Sequence, residues 1–240
     1  MKITKIGTVF QLSFMPRIFP VNCYIVEEES ELTLIDAALP YSAKSIIKAA
    51  EGIGKPITRI IITHAHSDHI GALDTLKELL PDSQVCISSR DALLLEGNSA
   101  LLPNEKNTPI RGGIPKNIKT KPDILLEEGD RVGSLEVIAT PGHTPGSITL
   151  FDTRNRSLIA GDALVTRGKI LVSGVMNPLF PFPSLATWDK STALISAKKL
   201  RDLNPSLLAV GHGKMLKQPQ ELLDIAIAEA EKNLDNQYRK

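Results

Sequence analysis

A chain of 240 residues with 42% apolar side chains can bury a substantial core, as one large α/β domain or two small ones. Its 28 basic and 27 acidic side chains leave a formal charge of +1, so no global field draws it to nucleic acid. No apolar run approaches a membrane span, and the opening Met1-Lys2-Ile3-Thr4-Lys5-Ile6 has neither the apolar stretch nor the cleavage site of a signal peptide.

These bounds predict a soluble cytoplasmic protein without a membrane or nucleic-acid partner. The two cysteines, Cys23 and Cys86, each lie in an apolar, strand-like run and read as small buried hydrophobes in a reducing compartment. No CxxC occurs, so thiolate zinc binding has no support.

In chain order, β-branched and alternating runs predict strands over 3–14, 21–26 and 32–35. The acidic run 27–31 reads as a solvated hairpin tip. Asp36 ends the third strand, either as a turn residue or as a group orienting a metal-bound histidine. A helix follows over 41–53, closed by Gly52 and Gly54, then a buried strand over 59–62. Leu73, Leu76 and Leu80 predict a helix over 70–80, with a strand over 84–88 and a short helix over 89–96 behind it.

Residues 97–122 have no clear period and hold four prolines, Pro103, Pro109, Pro115 and Pro122. Long loops of this kind are often lids. This one carries Lys106, Arg111, Lys116, Lys119 and Lys121 against Glu105, which reads as a solvated loop or as a basic lid favouring an anionic substrate. Strands resume over 124–126, 132–140, 147–151 and 157–160. The irregular stretch 167–184 contains Met176, Phe180 and Phe182, as a pocket wall or as core. Ser184 or Thr187 is placed to cap a helix running to Leu203. A strand over 207–210 follows, and Pro219 opens an amphipathic helix with Leu222, Ala226 and Ala230 on one face.

The chemistry concentrates in Thr63-His64-Ala65-His66-Ser67-Asp68-His69, where a strand stops and a helix starts. In open α/β sheets, sites form at that edge. His64 and His66, two apart, point the same way in extended chain and suit a borderline-soft cation such as zinc. Asp68 and His69 sit where the chain turns and can face a second ion, although Asp68 can also serve as a helix cap. The remaining two of the five histidines, His143 and His212, lie in Gly-flanked turns after apolar runs, so all five sit at predicted strand-to-loop junctions. Asp162 follows another strand, in Ala160-Gly161-Asp162, as a turn residue or a bridging carboxylate.

Taken together, HxHxDH at 64–69, then His143, Asp162 and His212 in that order resemble the metallo-β-lactamase superfamily of metal-dependent hydrolases. The resemblance implies an α/β fold, a four-layer αβ/βα sandwich of two mixed β-sheets with helices on the outer faces, as a single domain over 1–240. It implies two divalent metal ions, zinc first, with iron or manganese as alternatives. One would take His64, His66 and His143, the other Asp68, His69 and His212, and Asp162 would bridge both.

The complete set with a bridging aspartate is more similar to glyoxalase II than to the true β-lactamases. No separate C-terminal helical domain follows, as glyoxalase II has. The position three residues after Asp162, a tyrosine in the acyl-homoserine lactonases, is Val165 here. The implied activity is attack of a metal-bridging hydroxide on an ester, thioester or lactone carbonyl of a small molecule. Asp68 would be the catalytic carboxylate, with Lys214, Arg167 or Lys169 meeting a substrate carboxylate. The alternatives are an iron-dependent persulfide dioxygenase and a non-catalytic metal-binding module. Oligomeric state is left open.

Overall fold

The computed structural model describes residues 1–178 and 180–238. The chain divides into two compact units, Met1–Asn98 with Gly113–Glu127 and Ser99–Gly112 with Glu128–Lys240.

The first unit is built on a seven-stranded mixed sheet of β1 (Lys2–Ile6), β2 (Val9–Phe14), β3 (Val21–Glu27), β4 (Leu32–Ile35), β5 (Ile57–Ile62), β6 (Gln84–Ser88) and β7 (Ile124–Leu126), in that spatial order. Pairing is antiparallel from β1 to β4 and parallel from β4 to β7. The parallel strands need crossovers. These contain α1 (Ala43–Ile53), α2 (Ser67–Ile70), α3 (Leu73–Leu79) and α4 (Ser89–Leu95). The apolar block of β5, Ile60 to Ile62, is fully buried, as a strand buried on both faces requires.

Two expectations for this unit are corrected. The strand read over 3–14 is a hairpin, because Ile6 pairs with Val9 across a two-residue turn at Gly7 and Thr8. The alternation continues through so short a turn and hides it. The helix read over 70–80 is broken into α2 and α3, because Gly71 N–H leaves the helical ladder to donate to Ala38 O at 2.8 Å. The acidic tip is also more than solvated. Glu27 takes Lys55 at 2.9 Å and Lys5 at 3.1 Å, and Glu31 pairs with Arg59. The Lys55 bond first, then that of Lys5, holds the Glu27 carboxyl below the usual range.

The second unit carries a six-stranded mixed sheet of β8 (Arg131–Val132), β9 (Leu135–Ala139), β10 (Ile148–Asp152), β11 (Ser157–Ile159), β14 (Leu207–Ala209) and β15 (Leu216–Lys217). A separate ribbon joins β12 (Leu164–Val165) to β13 (Leu171–Val172). The strand read over 132–140 is again a tight hairpin, with Val132 paired to Leu135.

Its helices are α5 (Phe182–Leu185), α6 (Lys190–Asp202) and α7 (Gln220–Tyr238). Neither Ser184 nor Thr187 caps α6. Asp189 does, its carboxylate accepting Thr192 N–H at 2.7 Å, because the chain stays irregular beyond Thr187 and turns helical only at Lys190. The buried side of α7 is Leu223, Ala226, Ile227 and Ala230, so Ala226 and Ala230 lie on the buried face as read in sequence, while Leu222 is exposed and Leu223 takes its place. These residues join α6 and the inner side chains of the sheet in one apolar cluster. Phe180 is buried, but Met176 and Phe182 stand exposed, so only one of the three is core.

Residues 97–122 contain no helix or strand. Their second part is fastened to the first unit, with Asp74 accepting Lys119 N–H, Thr120 N–H and the Thr120 hydroxyl. Within the second unit, Trp188 Nε1 donates to Thr108 O at 2.9 Å. Among the described residues no helix is long and apolar enough to cross a membrane.

Candidate metal centre

In the first unit β5 ends at Ile62, and the next seven residues bring four potential ligands to that edge of the sheet. His64, His66 and His69 are buried and Asp68 is half-buried. The His64 ring centroid lies 4.8 Å from that of His66 and 4.1 Å from that of His69. A ligating atom of His64 lies within 4.8 Å of one on His66 and of one on His69, and the same holds between Asp68 and His69.

The cluster is held from behind. Asp36 Oδ2 lies 2.7 Å from His69 Nδ1, and the carboxylate also accepts Thr63 N–H at 2.8 Å and the Thr63 hydroxyl at 2.9 Å. Thr63 Oγ1 lies 3.2 Å from His64 Nδ1. Asp36 sits at a turn, with a φ of 62°, and its carboxylate also reaches His69.

Asp91, wholly buried in the first turn of α4, accepts Ala65 N–H at 2.9 Å and so pins the backbone between His64 and His66. Ser67 donates both its N–H and its hydroxyl to Gly113 O, at 2.8 and 2.5 Å, fixing the residue between His66 and Asp68.

In the second unit, His143, Asp162 and His212 are all buried. Asp162 Oδ2 lies 3.5 Å from His143 Nε2 and 3.1 Å from His212 Nε2, so one carboxylate oxygen faces both imidazoles. Phe180 packs edge-on to His212 with centroids 5.4 Å apart, shielding the ring. His143 Nδ1 faces Ser173 Oγ at 3.0 Å and Thr187 Oγ1 at 3.3 Å.

A glycine adjoins each of these two histidines in sequence. A Cβ on Gly142 would come within 2.4 Å of Ala193 in α6, and one on Gly213 within 2.2 Å of Thr166 Oγ1. Both have positive φ, 141° and 131°, so the turns that carry His143 and His212 need glycine there.

The two donor sets suit divalent cations. They consist of buried imidazoles and carboxylates without a thiolate. Nδ1 of His64, His69 and His143 meets a protein oxygen, which directs Nε2 toward a ligand position, the outer-shell arrangement typical of metal-binding histidine. Cys23 and Cys86 are buried and outside these sets.

Of the cations suggested for substrate, Lys169 is committed to Glu229 at 2.7 and 2.8 Å, and Arg167 lies over the Phe180 ring at 4.9 Å. Val165 is buried in β12, opposite Leu171. Thr63 adjoins the motif and could have been suspected from sequence. Asp91, Ser173 and Thr187 carry no local signal.

The chain belongs to the metallo-β-lactamase superfamily, whose family model matches residues 16–212. It is 56% identical to the uncharacterized protein YobT of Bacillus subtilis over 97% of this chain and 100% of that protein. It is 36% identical to the probable metallo-hydrolase YflN of the same organism, covering 80% of each. Among solved structures it is similar to TTHA1623 in a di-iron-bound form, with a TM-score of 0.64 and 28% identity over 88% of this chain and 96% of that one. The fold is the metallo-β-lactamase fold, with two mixed sheets as the sequence motif implied.

Proposed function

We propose that this protein is a dinuclear metal-dependent hydrolase of a small ester, thioester or lactone. In this reading His64, His66 and His143 would hold one divalent ion, Asp68, His69 and His212 would hold the other, and Asp162 would be shared. The observation that carries it is Asp162 Oδ2 facing the Nε2 atoms of His143 and His212 at 3.5 and 3.1 Å. A carboxylate oxygen so placed is suited to a bridging role between two ions, each with one of these imidazoles. Membership of the superfamily and the relative named as a probable metallo-hydrolase support the same reading.

Bound divalent ions supply Lewis acidity that polarises a carbonyl and acidifies a water. The protein's share is orientation and proton handling. Asp36 and the Thr63 hydroxyl fix His69 and His64, and Asp91 fixes the chain between His64 and His66. Asp68, the half-buried member of the first set, would orient a nucleophilic water and accept its proton.

The exposed Lys116, Lys119 and Lys121 on the segment that begins at Gly113, beside Ser67, favour an anionic substrate. Free, buried cysteines fit a reducing, cytoplasmic setting. Zinc suits the nitrogen-rich donors. Elemental analysis of the purified protein and assay of wild type and His66→Ala on a thioester and ester panel test the reading. Metal-dependent turnover lost in the variant supports it, and full activity in a metal-free variant ends it.

Similarity to the mitochondrial persulfide dioxygenase of Homo sapiens, 30% identical over 62% of this chain and 51% of that protein, favours a second reading, iron-dependent dioxygenation of a persulfide. Oxygen uptake by an iron-loaded preparation, with no hydrolysis, would select it.

A further inference from the structure

Behind His143 three side chains and a carbonyl form a row. His143 Nδ1 is 3.0 Å from Ser173 Oγ, Ser173 Oγ is 2.8 Å from Thr187 Oγ1, and Thr187 Oγ1 is 2.8 Å from Pro183 O. Thr187 Oγ1 also lies 3.3 Å from His143 Nδ1. All three side chains are buried.

The row ends on a group that can only accept. A hydroxyl has one proton to give and lone pairs to receive. Thr187 gives its proton to Pro183 O, so toward Ser173 it can only accept. Ser173 then gives its proton to Thr187, so toward His143 it too can only accept. The proton on the last link must belong to the imidazole. Counting along the row therefore puts a proton on His143 Nδ1, and in the neutral ring this leaves the lone pair on Nε2, the atom that faces Asp162.

We propose that Ser173 and Thr187 are positioning residues whose one-way hydroxyl chain, closed on the Pro183 carbonyl, sets the tautomer of His143 and so governs the metal position that His143 serves. The tautomer stands on the hydrogen-bond row alone, while the metal consequence rests on the dinuclear reading.

His69 and His143 are then backed differently. His69 is backed by the Asp36 carboxylate, which raises the basicity of an imidazole ligand. His143 is backed by hydroxyls whose protons are already spent, which orient the ring without adding charge.

Two measurements separate the tautomer from the metal. Proton–nitrogen correlation spectra of the metal-free protein, recorded above the pH range in which imidazole titrates, report which ring nitrogen of His143 carries the proton. Wild type and Ser173→Thr, which keeps the hydroxyl, show it on Nδ1. Thr187→Val, which frees the Ser173 proton to point at Nδ1, shows a mixture or the Nε2–H form, and Ser173→Ala, which leaves Nδ1 only the 3.3 Å contact to Thr187, shifts the same way to a smaller extent. In chelator competition with zinc, Ser173→Ala weakens one ion by roughly 10–100-fold and leaves the other as in wild type. A wild-type His143 protonated on Nε2, or an unchanged tautomer in both Ser173→Ala and Thr187→Val, overturns the proposal. If the wild type shows the Nδ1–H form and binds no zinc, the hydroxyl chain stands and the dinuclear reading fails.

Discussion

Asp36 reaches two histidines at once: His69 directly, at 2.7 Å from Nδ1, and His64 through Thr63, whose hydroxyl lies 2.9 Å from Asp36 Oδ2 and 3.2 Å from His64 Nδ1. In the proposed assignment these imidazoles belong to different ions, so one buried carboxylate orients a ligand of each. Asp36→Asn is expected to keep the fold and weaken both ions by roughly 10–100-fold. Asp36→Ala also strands the buried Thr63 N–H, with a further loss of about 1–3 kcal/mol in urea unfolding. Wild-type zinc affinity in Asp36→Asn would show that the carboxylate orients nothing.

Gly142 precedes His143 in a conformation that side chains resist, with Ala193 of a packed helix in the way. Gly142→Ala is expected to cost at least about 2 kcal/mol, from backbone strain and the overlap together. Urea denaturation checks it. A change within about 0.5 kcal/mol, the range of an ordinary surface substitution, would mean that the turn relaxes freely.

Asp189 caps α6. Burial pushes its carboxyl up, but the bonds from the Thr192 and Ser191 hydroxyls and from Thr192 N–H outweigh this and hold it below the usual value. A carboxyl depressed in the folded state stabilises above its unfolded pKa and loses that contribution as pH falls through the folded one. Asp189→Ala should therefore cost about 1 kcal/mol at neutral pH. The gap to wild type should shrink as the pH drops below the ordinary carboxylate range. Thermal melts from neutral to acid pH measure it, and a gap that widened on acidification would reverse the sign.

Burial, ahead of the nearby charges, pushes the Cys86 thiol up to about 11, and Cys23 is likewise raised by burial first. Neither should form thiolate near neutral pH, so alkylation by iodoacetamide should be slow until the protein unfolds. Rapid labelling of the native protein would place a thiol at the surface.

Much of the fold was legible because its strands are β-branched runs with clear ends. Residues 32–35, 84–88 and 124–126 are strands at the bounds their composition predicts. The hairpins at Gly7 and Gly133 escaped notice because a two-residue turn barely interrupts the alternation. The cap of α6 escaped because Ser184, Thr187 and Asp189 are all capping types, and only the backbone path chooses among them. The site's histidines and carboxylates stood out by type and position. Their supports did not: Ser173 and Thr187 lie 30 and 44 residues from His143 and meet it only after folding. Nothing in the local sequence of Asp91 announces that it will hold Ala65.

Metal stoichiometry in the Asp162→Ala variant, measured by elemental analysis beside wild type after zinc loading, tests the central claim most directly. A shared bridging carboxylate predicts two ions per chain in wild type, loss of at least one in the variant, and parallel loss of thioester hydrolysis. Equal metal content and equal turnover in the two proteins would contradict it.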